Sequence, residues 1–349
     1  MNSCKNCGFI PNLSDRGHLL LRIKNQNLLS KMKGILLEQN MTFTTNENNL
    51  LFVQYDSLQH VQTMIDLFDS YLLKKADQVY ATYSVETNDR FANFVPYEQL
   101  RERLLNWSYV QIINEGLFTQ HMQPIINVSS GSVYGYEFLL RPIDEEHRFN
   151  PGSLFSFSQR AGLQSVLDSQ ARISAIKISA KHLSKGVKRF INFLPSSIYD
   201  PNHCLKSTLQ AVERANIDPE DLVFEVVETE KIPDIDQLKN IFNVYQKRGI
   251  HVALDDLGSG FATVDVLKEL KPNFAKIDRN LIGHCDEDPI KQREIKEIAN
   301  VANTYGITLL AEGIERKEEA DFCAHLHIPL AQGYYFGRPE AKPRESLHI

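Results

Sequence analysis

The sequence predicts an α/β protein: a (β/α)8, TIM-like barrel with an antiparallel first strand, preceded by a small α+β domain of ferredoxin-like order βαββαβ. Two features lead there. From about residue 119 onward, short apolar strands alternate with amphipathic helices at intervals of roughly 20 to 36 residues, the rhythm of βα units around a parallel sheet. Ahead of them, residues 17–86 alternate on a shorter beat with turn signals between the runs.

In that first stretch "HLLLRI" reads as a strand and "NQNLLSKMKGILLEQ" carries apolar residues at helical spacing. "MTFTT" and "LLFVQY" flank the turn-rich "NENN" as a hairpin. "SLQHVQTMIDLFDSYLL" is again helical and "QVYATYS" again strand-like, giving βαββαβ over residues 17–86. Nothing polar clusters there, so the expectation is a regulatory or dimerising module. Residues 87–118 read as a linker, "VETNDRFANFVP", and a connecting helix, "YEQLRERLLNWSYVQIINEG".

The barrel then spans 119–349. "TQHMQPIINV" and "GSVYGYEFLLR" sit too close for a helix between them, so they are expected to pair antiparallel. "FINFL", "LVFEVV", "HVAL", "FAKI", "ITLLAE" and "PLAQG" supply the other six strands, with helical segments between them.

With 349 residues, 42% hydrophobic and 23% charged, the chain can bury a large core. Its formal net charge of -6 offers no basic field for a nucleic-acid polymer. No apolar run approaches a bilayer span, and "MNSCKNCGFIP" lacks a signal peptide's pattern, so no membrane association and a cytoplasmic location are expected. Cys204, Cys285 and Cys323 read as reduced thiols. In the tail, residues 1–16, Cys4 and Cys7 form a C-x-x-C, half of a zinc site. His18 or a second subunit could complete it; the alternative is an untethered tail.

In a barrel, chemistry sits where strands end. Glu137, Asn192, Glu225, the pair Asp255-Asp256, Lys276, Glu312 and Gln332 each stand at or near a strand end, bounded by apolar residues. Any one could be a cap or a loop residue. One per strand predicts convergence on a single mouth. Two carboxylates about 5 Å apart repel by about 3 kcal/mol at an effective dielectric near 20. Five in one mouth raise pKa values or draw in cations. The donors are oxygens with no histidine or cysteine, which selects Mg²⁺ or Mn²⁺, one ion or two, with Ca²⁺ an inhibitory occupant. A lysine beside such ions suits attack of water on a phosphodiester. A lyase with a lysine base stays open on these residues alone.

The barrel half resembles the EAL domain family of cyclic di-GMP phosphodiesterases. "QPIINVSSGSVYGYEFLLR" is similar to its first two strands, with Glu137-Phe138-Leu139 in the place of Glu-Ala-Leu. "INFLP", "FEVVE", "ALDDLGSGF", "KIDRNLI", "LLAEGIE" and "QGYYFGRP" match the later blocks in order, over about 119 to 340. The resemblance implies hydrolysis of cyclic di-GMP to linear pGpG. It implies that Glu137, Asn192, Glu225 and Asp255 ligate one metal, and that Asp256 and Glu312 serve a second. Lys276 would orient or activate the attacking water, with Gln332 ordering that shell and Glu137 and Glu312 completing the catalytic set. Arg141, Gln123 and Asp256 would hold substrate, Arg141 through its guanidinium fork, and Glu228 would anchor the loop after Asp256. A homodimer through the barrel domain is also implied. Phe138, Val227, Leu257, Phe261, Ala262 and Thr263 depart from the family pattern. They bear on the strength and regulation of activity, and the alternative is a weak or inactive cyclic di-GMP sensor acting through a protein partner.

Overall fold

The computed structural model describes residues 10–46, 48–73, 78–85, 93–198, 200–226, 235–258 and 262–343. Cys4, Cys7 and Glu228 lie outside the described residues. The backbone separates into two units, Met1–Leu117 with Phe149–Leu167, and Phe118–Arg148 with Asp168–Ile349.

In the first unit, β1 (Gly17–Ile23), α1 (Gln26–Glu38), β2 (Phe43–Thr45), β3 (Leu50–Tyr55), α2 (Leu58–Leu72) and β4 (Val79–Ser84) follow the βαββαβ order. Asn25 and Ser57 start the two helices, each side chain accepting a hydrogen bond from a first-turn N–H. Leu28, Met32, Leu36, Val61, Met64 and Phe68 point from those helices onto Leu19, Leu21, Leu51 and Val53 of the sheet. The sheet is antiparallel, in the order β2-β3-β1-β4. A short fifth strand, β5 (Val95–Pro96), extends its edge. Two helices follow, α3 (Tyr97–Leu105) and α4 (Trp107–Glu115), where the sequence suggested one. Asn106 separates them, its φ of -126° and ψ of 48° falling outside helical values. Helix α5 (Pro151–Arg160) belongs to the same unit; buried Arg103 donates to the carbonyl of Ala161 at its end, 2.8 Å away.

The second unit is a closed eight-stranded barrel: β6 (Phe118–Asn127), β7 (Val133–Pro142), β8 (Lys188–Phe193), β9 (Leu222–Val226), β10 (His251–Leu257), β11 (Phe274–Ile277), β12 (Thr308–Ala311) and β13 (Leu330–Gln332). Helices α6 (Gln164–His182), α7 (Pro201–Cys204), α8 (Lys206–Ala215), α9 (Ile235–Gln246), α10 (Val264–Leu270), α11 (Arg279–Ile282), α12 (Pro289–Tyr305) and α13 (Lys317–His325) follow the strands in turn. Strand β6 runs antiparallel to both neighbours, β7 and β13, and the remaining pairs are parallel. The β6–β7 turn is tight because the Asn127 side chain accepts from the N–H groups of Ser129 and Ser130.

Period two along the strands builds the interior. Ile125, Phe190, Val223, Ala253, Phe274, Leu310 and Leu330 fill the barrel as one apolar plug. Side chains two apart share a face. One pleat from each plug residue therefore stand Gln123, Asn192, Glu225, Asp255, Lys276, Glu312 and Gln332. Glu137 joins them opposite Gln123, two residues after Gly135. Gly135 allows β7 to close on β8, since a Cβ there would lie 2.5 Å from the Lys188 carbonyl oxygen.

Truncating Phe190, which meets Phe274 edge-on at 5.4 Å, leaves a void in the plug. Phe190→Ala is expected to cost about 3–5 kcal/mol. Gly34→Ala, on α1 with nothing within 4 Å of the added carbon, is expected to gain about 0.5–1 kcal/mol. Urea titrations of each variant check both signs.

Candidate functional site

The plug forces the next layer to be polar only if its charges find partners. Lys276, 1% exposed, supplies the cation. Its Nζ lies 2.5 Å from Glu312 Oε1, 3.2 Å from Glu225 Oε1, 3.3 Å from Asp255 Oδ1 and 3.7 Å from Glu137 Oε1. Burial alone would lower the Lys276 pKa. The four carboxylates overcome it and hold the pKa well above the ordinary lysine value. Burial pushes the Glu225 and Glu312 carboxyls well above the usual carboxylate range, with Lys276 opposing. Asp255 is raised for the same reason.

Two amides flank Glu137. Asn192 Nδ2 donates to its Oε1 at 3.0 Å and Gln332 Nε2 to its Oε2 at 2.7 Å. With their N–H groups so committed, Asn192 Oδ1 and Gln332 Oε1 are buried without a hydrogen-bond donor among the described residues. Both Glu225 oxygens share that condition, although Oε1 keeps its ion pair with Lys276. Acceptors stranded in this way, with one ammonium among four carboxylates, fit a hard divalent cation.

The consecutive aspartates are accommodated by an irregularity in β10. Its register against β11 shifts between Leu254 and Leu257. A regular strand would send Asp255 and Asp256 to opposite faces. Asp256 instead takes a left-handed φ of 54°, and its N–H donates to Asp255 Oδ1 at 3.0 Å. Oxygens of Asp255, Asp256 and Glu312 then lie within 4.8 Å of one another, close enough to hold one ion.

A cleft of about 210 Å³ opens onto this centre, lined by Gln123, Glu137, Asp256, Glu312 and Gln332. Gln123 is fixed by donating from Nε2 to the Gly337 carbonyl at 3.2 Å. Asp278, Arg279, Glu315 and Tyr334 also line the cleft, and the sequence reading did not single them out. Their signal was present: Asp278 and Arg279 directly follow β11, and Tyr334 comes two residues after Gln332. Arg338 stacks over the Tyr334 ring at 4.1 Å. Arg141 is half-buried and its Nη1 donates to the Leu140 carbonyl at 2.7 Å. Burial lowers its pKa, opposed by Glu137 and Tyr334.

The EAL domain family model matches residues 108–339. The chain belongs to the EAL domain family. The probable cyclic di-GMP phosphodiesterase PdeG of Escherichia coli K12 is 30% identical over 237 residues, 65% of this chain and 45% of that protein. Cyclic di-GMP phosphodiesterase PdeL of the same organism is 26% identical over 225 residues, 64% of this chain and 62% of that one. The chain thus spans less than two thirds of either curated relative. A standalone versatile EAL protein from Vibrio cholerae O395, solved in its c-di-GMP-bound form, is 32% identical with a TM-score of 0.60. That likeness covers 66% of this chain and 95% of the other. The EAL match leaves residues 1–107 outside it. Among the described residues, no helix is long and apolar enough to cross a membrane.

Replacing Lys276 with an uncharged chain strands four buried carboxylates. Lys276→Met is expected to lower stability by about 3–5 kcal/mol in a chelator. Divalent cation should restore part of the loss, because it supplies the missing positive charge. Urea midpoints with EDTA and with excess Mn²⁺ measure both effects.

Proposed function

We propose that this EAL protein is a divalent-metal-dependent phosphodiesterase that opens cyclic di-GMP to linear pGpG. The observation carrying this reading is the set of stranded oxygens: those of Glu225 beside the Lys276 ammonium and those of Asn192 and Gln332, whose amides both grip Glu137. Glu137, Asn192, Glu225, Asp255, Asp256 and Glu312 are the residues that would hold Mg²⁺ or Mn²⁺. The ion supplies Lewis acidity, easing loss of a proton from water and screening charge on the phosphate.

The chain's own groups do the rest. Lys276 is held as an ammonium, so Nζ acts as a donor that orients the attacking water oxygen. Gln332 fixes Glu137 from one side and Asn192 from the other, which keeps that carboxylate from rotating. Arg141 would offer its remaining guanidinium donors to a phosphate, and Gln123 borders the cleft. Water adds to phosphorus as it gives up a proton, the bond to the 3′ oxygen breaks, that oxygen takes up a proton to leave as the 3′ hydroxyl, and a 5′-phosphate remains on the linear dinucleotide. The cyclic di-GMP phosphodiesterases among the relatives and the Vibrio cholerae protein's bound c-di-GMP support the substrate assignment.

The full chain incubated with cyclic di-GMP and Mg²⁺ or Mn²⁺ is expected to form pGpG, separated by chromatography, and EDTA should stop it. Ca²⁺ is expected to support binding without turnover. Glu225→Ala should lose more than the roughly 10–100-fold that outer partners of a metal site cost when removed. Tight binding of cyclic di-GMP with no pGpG under either productive ion would make the protein a sensor instead.

A further inference from the structure

A second polar cluster lies in the barrel unit away from the cleft. Asp168 and Arg172 occupy successive turns of α6, each 2% exposed, and form a buried ion pair. Arg172 Nε also donates to Thr208 Oγ1 at 3.3 Å. Asp168 does more than neutralise Arg172. Its Oδ1 accepts from the Leu194 N–H at 2.9 Å, and its Oδ2 accepts from Ser197 Oγ. The Leu194 carbonyl lies 2.7 Å from the same hydroxyl, so Asp168 and that carbonyl share its single proton.

Leu194 is the residue at which the chain leaves the barrel. Strand β8 ends at Phe193, still in register with Val226 of β9. The backbone then turns through Pro195–Ser197. The Leu194 N–H therefore lies just beyond the last residue of the strand, two positions after Asn192. Asn192 is at the same strand end, with Nδ2 on Glu137 and Oδ1 without a donor among the described residues. A buried ion pair adds little net stability over apolar packing, and beside Arg172 what Asp168 holds here is the backbone at Leu194.

We infer that Asp168 is a positioning residue for the metal centre: by gripping Leu194 it fixes the exit of β8 and so the direction in which Asn192 presents Oδ1. The inference rests on the divalent-cation reading above. It concerns α6, which contributes no ligand to the centre.

The test measures Mn²⁺ affinity of the full chain, independently of turnover. Asp168→Leu with Arg172→Met removes the grip without leaving a buried charge, and circular dichroism confirms folding. Mn²⁺ binding is expected to weaken about tenfold, the scale for outer partners of metal ligands. Asp168→Asn with Arg172→Met keeps an acceptor for Leu194 and is expected to recover most of that affinity. In an Asn192→Ala background the leucine pair is expected to change nothing further, because the residue it acts through is gone. Equal losses in both backgrounds, or no difference between the leucine and asparagine pairs, would overturn the inference. Where the leucine pair does not fold, Asp168→Ser with Arg172→Met, whose hydroxyl falls short of Leu194, enters the same comparison. If the unaltered chain binds no Mn²⁺, the metal reading fails first and this inference fails with it.

Discussion

One ammonium inside a closed barrel sets the terms for the whole upper half of this fold. Lys276 is buried among Glu137, Glu225, Asp255 and Glu312, with its ammonium within 3.7 Å of an oxygen on each. It opposes the rise that burial imposes on Glu225, Asp255 and Glu312. The arrangement remains rich in oxygen donors, since a single ammonium faces four carboxyl groups. The ammonium lets the barrel close around charge, and the surplus of oxygens is the donor set a hard cation needs. The two amides sharpen this by directing their N–H groups at Glu137 and leaving their oxygens free.

Much of the site was legible because β-structure has a two-residue repeat and barrels have one inside. Phe190, Val223, Phe274, Leu310 and Leu330 advertise the interior face, so the polar residue two positions on must share it. That rule places Asn192, Glu225, Lys276, Glu312 and Gln332 together without any structure. It also gives the antiparallel β6, since the five residues between Asn127 and Val133 leave no room for a crossover helix. It fails for Asp256, whose position depends on a backbone irregularity that alternation cannot express. It fails also for Asp278, Arg279, Glu315 and Tyr334, which lie beyond the strand ends, where loop geometry decides direction.

The first unit was legible to a different depth. Its element order follows from helical and alternating spacing, and the sheet order β2-β3-β1-β4 is the antiparallel arrangement that such an order favours. Strand β5 was not, because two residues ending in proline carry no periodicity. Nor was the division of α3 from α4, which turns on the backbone of Asn106 alone. The ion pair on α6 escaped for a related reason. Asp168 and Arg172 stand four residues apart, a spacing common to exposed helical pairs, and only packing shows them sealed inside.

The apolar plug has a consequence of its own. Ile125, Phe190, Val223, Ala253, Phe274, Leu310 and Leu330 make the barrel a blind well with a dry floor. Nothing can drain through the base, so arrivals and departures share one doorway. Under the proposed reaction, product would have to leave by the way its substrate came in, and escape would bear on throughput as much as chemistry does.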